Sequence, residues 1–378
     1  MSNPAVRIER VQTKEALTEF IECVYRIHLL ESHWVPPLRR DMRLLLDRKK
    51  HPFHEHGEVE YFLAYEGDEC VGRAAAIENR AHNEFHGEKI GFFGFLDAQP
   101  RQEIYNALLA AAEDWTRKRG LTALRGPCSF STNEECGALV DGFDAFPALM
   151  TPWNTVGYHG FIEKAGFAKA MDLYSYWLSE DIYDNRMGRL AIKLKEKFAR
   201  NGTPVVIRPI NMKKFPEELE RFRQIYNAAW EKNWGFVPMT SAEIDFMAKE
   251  LKPLIVPELI QFAEIGGEPV GASFTVPDYN LVLRHLNGKL GLKEVAIFLL
   301  LRKRIHQIRV MTLGVVAEYR NRGLESMLVH ETTEACRKMG IHSGEMGWVL
   351  ETNDAMNRTM VSAGARRYRT HRIYEKTL

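Results

Sequence analysis

The sequence of 378 residues is long for one hydrophobic core and suits two domains of ordinary size. Hydrophobic residues make up 45% of it and charged residues 27%, which is the balance of a folded chain and excludes a disordered one. Lysine plus arginine is 51 against 50 for aspartate plus glutamate, a net charge of +1, so the chain is not built for general capture of a polyanion, and a nucleic-acid partner is not expected.

In chain order, the first half predicts a strand over 6–11 and a helix with apolar spacing over 16–30. Phe62-Leu-Ala-Tyr-Glu-Gly67-Asp-Glu69-Cys-Val71-Gly72 then reads as a β-hairpin. A strand over 90–97 and a helix carrying Ile104, Leu108, Ala112 and Trp115 follow. Residues 126–144 form a long Gly-, Ser- and Asn-rich stretch, and Pro152-Trp153-Asn154 leads through Tyr158 into a last helix. A polar, basic segment over 181–201 reads as a helical connector.

The second half repeats the plan, with a strand over 205–210, a helix over 219–230 and the hairpin Phe262-Ala-Glu-Ile-Gly266-Gly-Glu268-Pro-Val270-Gly271. Gly72 and Gly271, Gly166 and Gly364, and Trp34 and Trp234 all stand about 200 positions apart, which marks a duplicated domain. A strand over 310–316, an amphipathic helix through Leu324 and Leu328, a strand over 345–350, a helix opening near Asp354 and a strand over 366–376 complete it. The expected class is α/β (α+β): two tandem domains, 1–180 and 204–378, joined by a connector over 181–203, each a mixed, mostly antiparallel sheet flanked by helices.

No apolar run approaches the ~20 residues of a membrane span. The longest, 295–301, is bounded by Lys293 and Arg302, and residues 1–10 lack the apolar core of a signal peptide. A cytoplasmic location and no membrane partner are therefore expected. The five cysteines are scattered without metal-ligand spacing, and His51, His54 and His56 share a Pro-containing loop with no thiol nearby, so no metal is expected.

The sharpest chemical signal is Leu313-Gly314-Val315-Val-Ala-Glu-Tyr-Arg320-Asn321-Arg322-Gly323-Leu324. An apolar strand enters a basic, glycine-containing loop that opens directly into a helix, which aims backbone N–H groups and the positive helix end at one point. This segment resembles the acyl-CoA pyrophosphate loop of the GCN5-related N-acetyltransferase superfamily. Asn353, standing before a helix that ends at Gly364, and the two E-x-V-G hairpins extend the resemblance over most of 205–378 and more loosely over 6–178. It looks closest to bacterial proteins with two such domains in tandem.

The resemblance implies an N-acetyltransferase with acetyl-CoA as donor and a small-molecule or peptide amine as acceptor, reacting in one ternary complex. Leu313, Gly314 and Val315 would pair with the pantetheine arm. Arg320, Asn321, Arg322, Gly323 and Leu324 would hold the pyrophosphate, and Asn353 would face the thioester. The sequence departs from the family twice: Glu325 stands where a small residue is usual, and Met360 where a tyrosine acid is usual. Two other readings stay open: a non-catalytic acyl-CoA sensor or assembly module, and transfer from a longer acyl-CoA or from aminoacyl-tRNA.

Strand alternation puts Glu345, Gly347, Val349 and Glu351 on one face and Met346, Trp348 and Leu350 on the other. Glu351 is the first candidate base, with Glu345 and Asp278 after it. Tyr368 and Tyr374 are candidate acids, although tyrosine is common in strands for structural reasons. The first half has no basic glycine loop, so it is read as a degenerate copy. Its Asn133, Trp153, Asn154 and Tyr158, with Asp278, are candidates for the acceptor pocket, against the reading of a loop that only covers a sheet edge. Monomer and homodimer are both compatible with the composition.

Overall fold

The computed structural model describes residues 5–179 and 185–378. The first stretch runs β1 (Arg7–Arg10), α1 (Lys14–Ile27), α2 (Arg39–Leu45), β2 (Gly57–Glu66), β3 (Glu69–Asn79) and α3 (Arg80–His86). It continues through β4 (Ile90–Ala98), α4 (Gln102–Lys118), β5 (Ala123–Gly126), β6 (Ala138–Asp141), α5 (Tyr158–Lys164) and β7 (Ala168–Ser179). Then come α6 (Asn185–Arg200), β8 (Val205–Pro209), α7 (Phe215–Trp230), α8 (Ser241–Leu251), β9 (Ile260–Ile265) and β10 (Glu268–Pro277). The remaining elements are α9 (Asn280–Leu283), α10 (Leu292–Leu301), β11 (Gln307–Val315), α11 (Leu324–Lys338), β12 (Ser343–Leu350), α12 (Asp354–Ser362) and β13 (Arg366–Thr377).

These elements form two compact units. Unit 1 takes the described part of Met1–Leu173 together with Asn280–Leu300 and Arg369–Leu378, and unit 2 takes the described part of Tyr174–Tyr279 with Leu301–Tyr368. The contiguous halves expected from the sequence differ from this division. Backbone pairing explains one difference: β13 runs antiparallel to β5, with Tyr374 opposite Gly126 and Thr377 opposite Ala123, so the last strand completes the first sheet. Helix α6, expected as a separate connector, packs within unit 2, where Ala191 and Leu194 meet Met327 of α11. Residues 181–184 of that expected connector lie outside the described residues.

In unit 1 the strands follow the order β1-β2-β3-β4-β5-β13. Only β4 and β5 among β1–β5 pair in parallel. Helix α4 covers the sheet with Ile104, Leu108 and Ala112, each fully buried. In unit 2 the order is β12-β11-β10-β9-β8, again antiparallel except for one parallel pair, β11 with β12. Helix α11 packs Leu324 and Leu328 against Val270 and Val315 on one face. Helix α7 packs Phe222 and Ile225 against Phe262 and Ala272 on the other.

The repeated glycine of the two hairpins sits in a close-packed place in each unit. A Cβ on Gly72 would fall 3.0 Å from Leu108 of α4, and one on Gly271 would fall 3.5 Å from Leu328 of α11 and 3.1 Å from the Gly314 carbonyl oxygen. At Gly72 the missing side chain makes room for helix α4, and at Gly271 it makes room for the neighbouring strand β11. Mixed, mostly antiparallel sheets flanked by helices are the architecture the sequence predicts.

Candidate functional site

Two features of β11 open the site. Its register against β10 slips: Phe274 faces Thr312, but Thr275 faces Val310, so Met311 is an extra residue in the strand, a β-bulge. On its other edge β11 pairs with β12 only from Gln307–Ser343 to Val310–Met346, after which the two parallel strands part. Beyond that point the edge of β11 from Met311 onward has no β12 partner, and a cavity of about 160 Å³ occupies the gap.

The cavity is lined from both faces of the sheet. Val329, Thr332 and Cys336 of α11 and Met356 and Met360 of α12 close one side, and Trp230, Asn233 and Thr312 line it toward α7. Along β12 the lining includes every residue from Ser343 to Leu350 except Glu345. At a rise of about 3.3 Å per residue those positions span roughly 23 Å of strand. Its walls are mainly apolar, and Met311, Met346, Met356 and Met360 give it flexible, polarizable sides. Met360 is 3% exposed and belongs to one cluster with Met346 and Val349. The residue that stood out as a missing tyrosine is thus part of an apolar wall.

That shared cluster also corrects the alternation expected for β12. Met346 and Val349 lie on one side, while Trp348 sits with its ring 5.5 Å from the Arg309 guanidinium, on the side of Glu345. The face changes by one residue between Met346 and Val349, so Glu345 and Glu351 do not share a simple strand face. Glu345 is fully buried. Its carboxylate accepts the Tyr368 hydroxyl hydrogen, lies 3.5 Å from Ser175 Oγ and pairs with Arg309 at 3.6 Å. Glu351 falls in the turn after β12, where its carbonyl oxygen accepts from Asn357 Nδ2 at 3.3 Å. Asp278 accepts from Gln307 Nε2 at 3.0 Å, at the opposite end of β11 from the loop.

Thr312 carries an orphan polar atom of the cavity. Phe274, its partner across the ladder, stacks toward Phe222 of α7, so Thr312 faces the same way. Its Oγ1 is buried with no hydrogen-bond partner among the described residues. Nothing in the strand pattern marks this; only the bulge and the parting of β12 expose it.

The basic loop is partly a phosphate cradle and partly a structural knot. Asn321 and Gly323 both have left-handed backbone (φ 59° and 86°), and Gly323 caps α11 without any side-chain cap, leaving first-turn N–H groups available to an anion. Arg322 is exposed, beside the Tyr319 ring. Arg320, expected to face phosphate, instead donates to the carbonyl oxygens of Val315 (3.2 Å) and Ala229 (2.6 Å), which ties the end of β11 to the end of α7. Gly323 is favoured by its φ, and a Cβ there would lie 2.3 Å from the terminal methyl of Leu194 of α6, which would have to shift. Burial raises the Glu325 carboxyl above its ordinary value, while its helix-end backbone and Arg320 pull it down. Asn353 lines the cavity and caps α12, its Oδ1 accepting from Met356 N at 3.1 Å. The open strand edge at Leu313 and the uncapped helix N-terminus fit the pantetheine arm and phosphates of an acyl-CoA.

In unit 1 the equivalent gap is filled by the chain itself. Beyond the short β4–β5 ladder, Cys128 N donates to the Phe93 carbonyl oxygen at 2.8 Å, and a Cβ on Gly94 would fall 2.0 Å from the Cys128 carbonyl oxygen. Phe130 is fully buried, stacked 4.8 Å from Phe53. The residues proposed for acceptor contact there have internal partners. Asn154 clamps the backbone of Leu139, accepting from its N at 2.6 Å and donating to its O at 3.2 Å. Tyr158 is in the core against Tyr105, and Asn133 N donates to Ser131 Oγ. Trp153 lies among His33, Phe143 and Arg369. Tyr374 is also core in unit 1, its hydroxyl donating to Glu163 at 2.9 Å.

No family model matches the chain. Among solved structures, a tandem GNAT protein from the clavulanic acid biosynthesis pathway aligns over 98% of each chain with a TM-score of 0.55 at 14% identity. A GCN5-related N-acetyltransferase from Sphaerobacter thermophilus aligns over 98% of this chain and 95% of its own with a TM-score of 0.53 at 12% identity. The fold is therefore that of tandem GCN5-related N-acetyltransferases. The chain is 32% identical to protein YghO of Escherichia coli over 97% of its length and 94% of YghO. It is 33% identical to the bacterial ceramide synthase of Caulobacter vibrioides over 100% of its length and 99% of that protein. End-to-end similarity at this level, on a shared acyltransferase fold, means that the chain belongs to the family of the bacterial ceramide synthase.

Proposed function

We propose that this chain is an N-acyltransferase that moves a fatty acyl group from an acyl-CoA to the amine of a long-chain amino alcohol. The observation that carries this reading is the apolar cavity running the length of β12 and open at the parting of β11. Apolar lining spread over roughly 23 Å of strand suits a fatty acyl chain better than a two-carbon acetyl group. The name of the relative from Caulobacter vibrioides supports the choice, since a ceramide is the amide of a fatty acid and a long-chain amino alcohol.

The thioester supplies an activated acyl carbon: the new C–N bond forms as C–S breaks, the nitrogen gives up a proton, and the departing thiolate takes one. The amides of 321–324 would hold the phosphates and the edge of Leu313 the pantetheine. Thr312 Oγ1 would donate to a substrate oxygen at the parting of the strands. We assign the amine proton to the Glu345 carboxylate, which stands between the lining residues Gly344 and Met346 without itself lining the cavity and accepts the Tyr368 hydroxyl hydrogen. Arg309 and Ser175 hold that carboxylate in place.

The test is a donor and acceptor matrix. Purified protein is incubated with acetyl-, octanoyl- and palmitoyl-CoA, each with sphinganine or with a short polar amine, and thiol release and amide product are measured. Palmitoyl transfer to sphinganine at least about tenfold faster than acetyl transfer is expected. Preference for acetyl-CoA and a polar amine overturns the proposal, and acyl-CoA binding without product assigns a sensor role instead.

A further inference from the structure

Helix α10 is built unlike the other helices. Its sequence, LKEVAIFLLL, is apolar almost throughout, yet none of its residues is buried. Leu292 is 94% exposed, Leu300 66%, Leu299 48% and Val295 40%. Contiguous exposed apolar surface of this kind marks a surface that is covered in use.

The charges around it indicate the cover. Lys289 and Lys293 stand at its start and Arg302, Lys303 and Arg304 follow its end, all exposed. The one acid of the segment, Glu294, accepts the Gly291 backbone N–H at 3.0 Å, and its single charge leaves the segment strongly positive. A second copy of the chain would bring the same five cations against these five. An anionic headgroup layer would neutralise them while its acyl region takes the leucines. At about 1.5 Å per residue the helix is too short to cross a bilayer and long enough to lie in its surface.

The mount is rigid. The backbone just before the helix is held to α2, where Arg39 N donates to the Gly288 carbonyl oxygen and Arg39 Nη1 to that of Asn287, both at 3.0 Å. Gly288 has left-handed backbone and no room for a Cβ, which would fall 2.6 Å from the Tyr25 ring.

We propose that α10 and its flanking cations form a docking surface for an anionic phospholipid bilayer. This replaces the expectation of no membrane partner, and it stands on α10 alone, independent of the acyl-transfer reading. The test is co-sedimentation of the full chain with phosphatidylcholine vesicles, with and without one-third phosphatidylglycerol, in the absence of any acyl donor or amine. Binding to the anionic vesicles is expected, weakened by salt. It should fall at least about tenfold in a Leu292→Glu/Leu299→Glu/Leu300→Glu variant and in an Arg302→Glu/Lys303→Glu/Arg304→Glu variant. All six positions are exposed or at the helix end, and unchanged melting curves would show that the variants fold. Absence of vesicle binding, or binding equal in wild type and variants, overturns the proposal. A dimer that is lost in the leucine variant, with no vesicle binding, assigns the surface to a second copy instead.

Discussion

A Cβ on Gly314 would fall 2.3 Å from the Trp230 ring, so the last turn of α7 and the end of β11 fit together only because this residue has no side chain. Trp230 lines the cavity, so the same contact sets the cavity's shape toward α7. Gly314→Ala should destabilise the protein by about 1–3 kcal/mol through overpacking. It should also lower kcat/KM for the long-chain donor. Urea unfolding and thiol-release kinetics read the two effects, and Trp230→Phe in the same chain should recover part of both.

Thr312 separates a binding role from a structural one. Its Oγ1 makes no hydrogen bond within the described protein, so Thr312→Val removes an unsatisfied buried hydroxyl and should leave stability unchanged or raise it by up to about 1 kcal/mol. Activity should fall about tenfold, because the hydroxyl is the donor that a substrate oxygen would use. A variant that melts earlier and works normally would assign the hydroxyl to the fold.

The methionine wall sets chain length. Met360→Trp fills the cavity beside Met346 and Val349 and should turn donor preference from palmitoyl-CoA toward octanoyl-CoA or shorter, by at least about tenfold in relative kcat/KM. Equal loss on all donors would mean that the variant disturbs the site as a whole.

Glu345 and Arg309 form a buried pair, 0% and 4% exposed. Glu345→Ala leaves the guanidinium without this partner and should cost about 3–5 kcal/mol. Glu345→Gln keeps hydrogen-bonding capacity and should fold, with kcat lowered about a hundredfold if the carboxylate takes the amine proton. Tyr368→Phe should show a smaller fall and an altered pH–rate profile.

Acid should loosen unit 1 before it titrates ordinary carboxylates. Burial lowers His54 from 6.5 to about 4, and burial lowers His82 likewise to about 4 despite its bond to Glu88. The unfolded chain therefore binds more protons than the folded one as pH falls from 6.5 toward 4, and stability is lost across that window. Urea midpoints measured between pH 7 and pH 4 should decline, and His54→Gln should flatten the decline.

The duplication, the hairpins and the main helices were legible because they rest on local signals: Gly67 and Gly266 at turns, β-branched and aromatic runs, and apolar spacing on α4 and α11. The basic loop and Asn353 stood out for the same reason, and Asn353 does line the cavity. What the sequence hid was non-local. The pairing of β13 with β5 joins residues some 250 positions apart, which no periodicity reports. The bulge at Met311 and the change of face between Met346 and Val349 upset the two-residue alternation from which the role of Glu351 was argued. Arg320 looked like a phosphate ligand because an arginine near a helix start is one locally; its actual partners are the carbonyls of Val315 and Ala229, one of them far back on α7.

The placement of residues 369–378 within unit 1 has a consequence for how the protein is made. Ribosomes release the first unit's other strands early, but β5 keeps an unpaired edge until β13 emerges. Through most of translation that edge is a template for pairing with another nascent chain. Production of residues 1–180 alone should therefore yield aggregates, and adding a peptide that spans 366–378 in trans should rescue solubility. The two halves duplicated as sequences, and they mature as one.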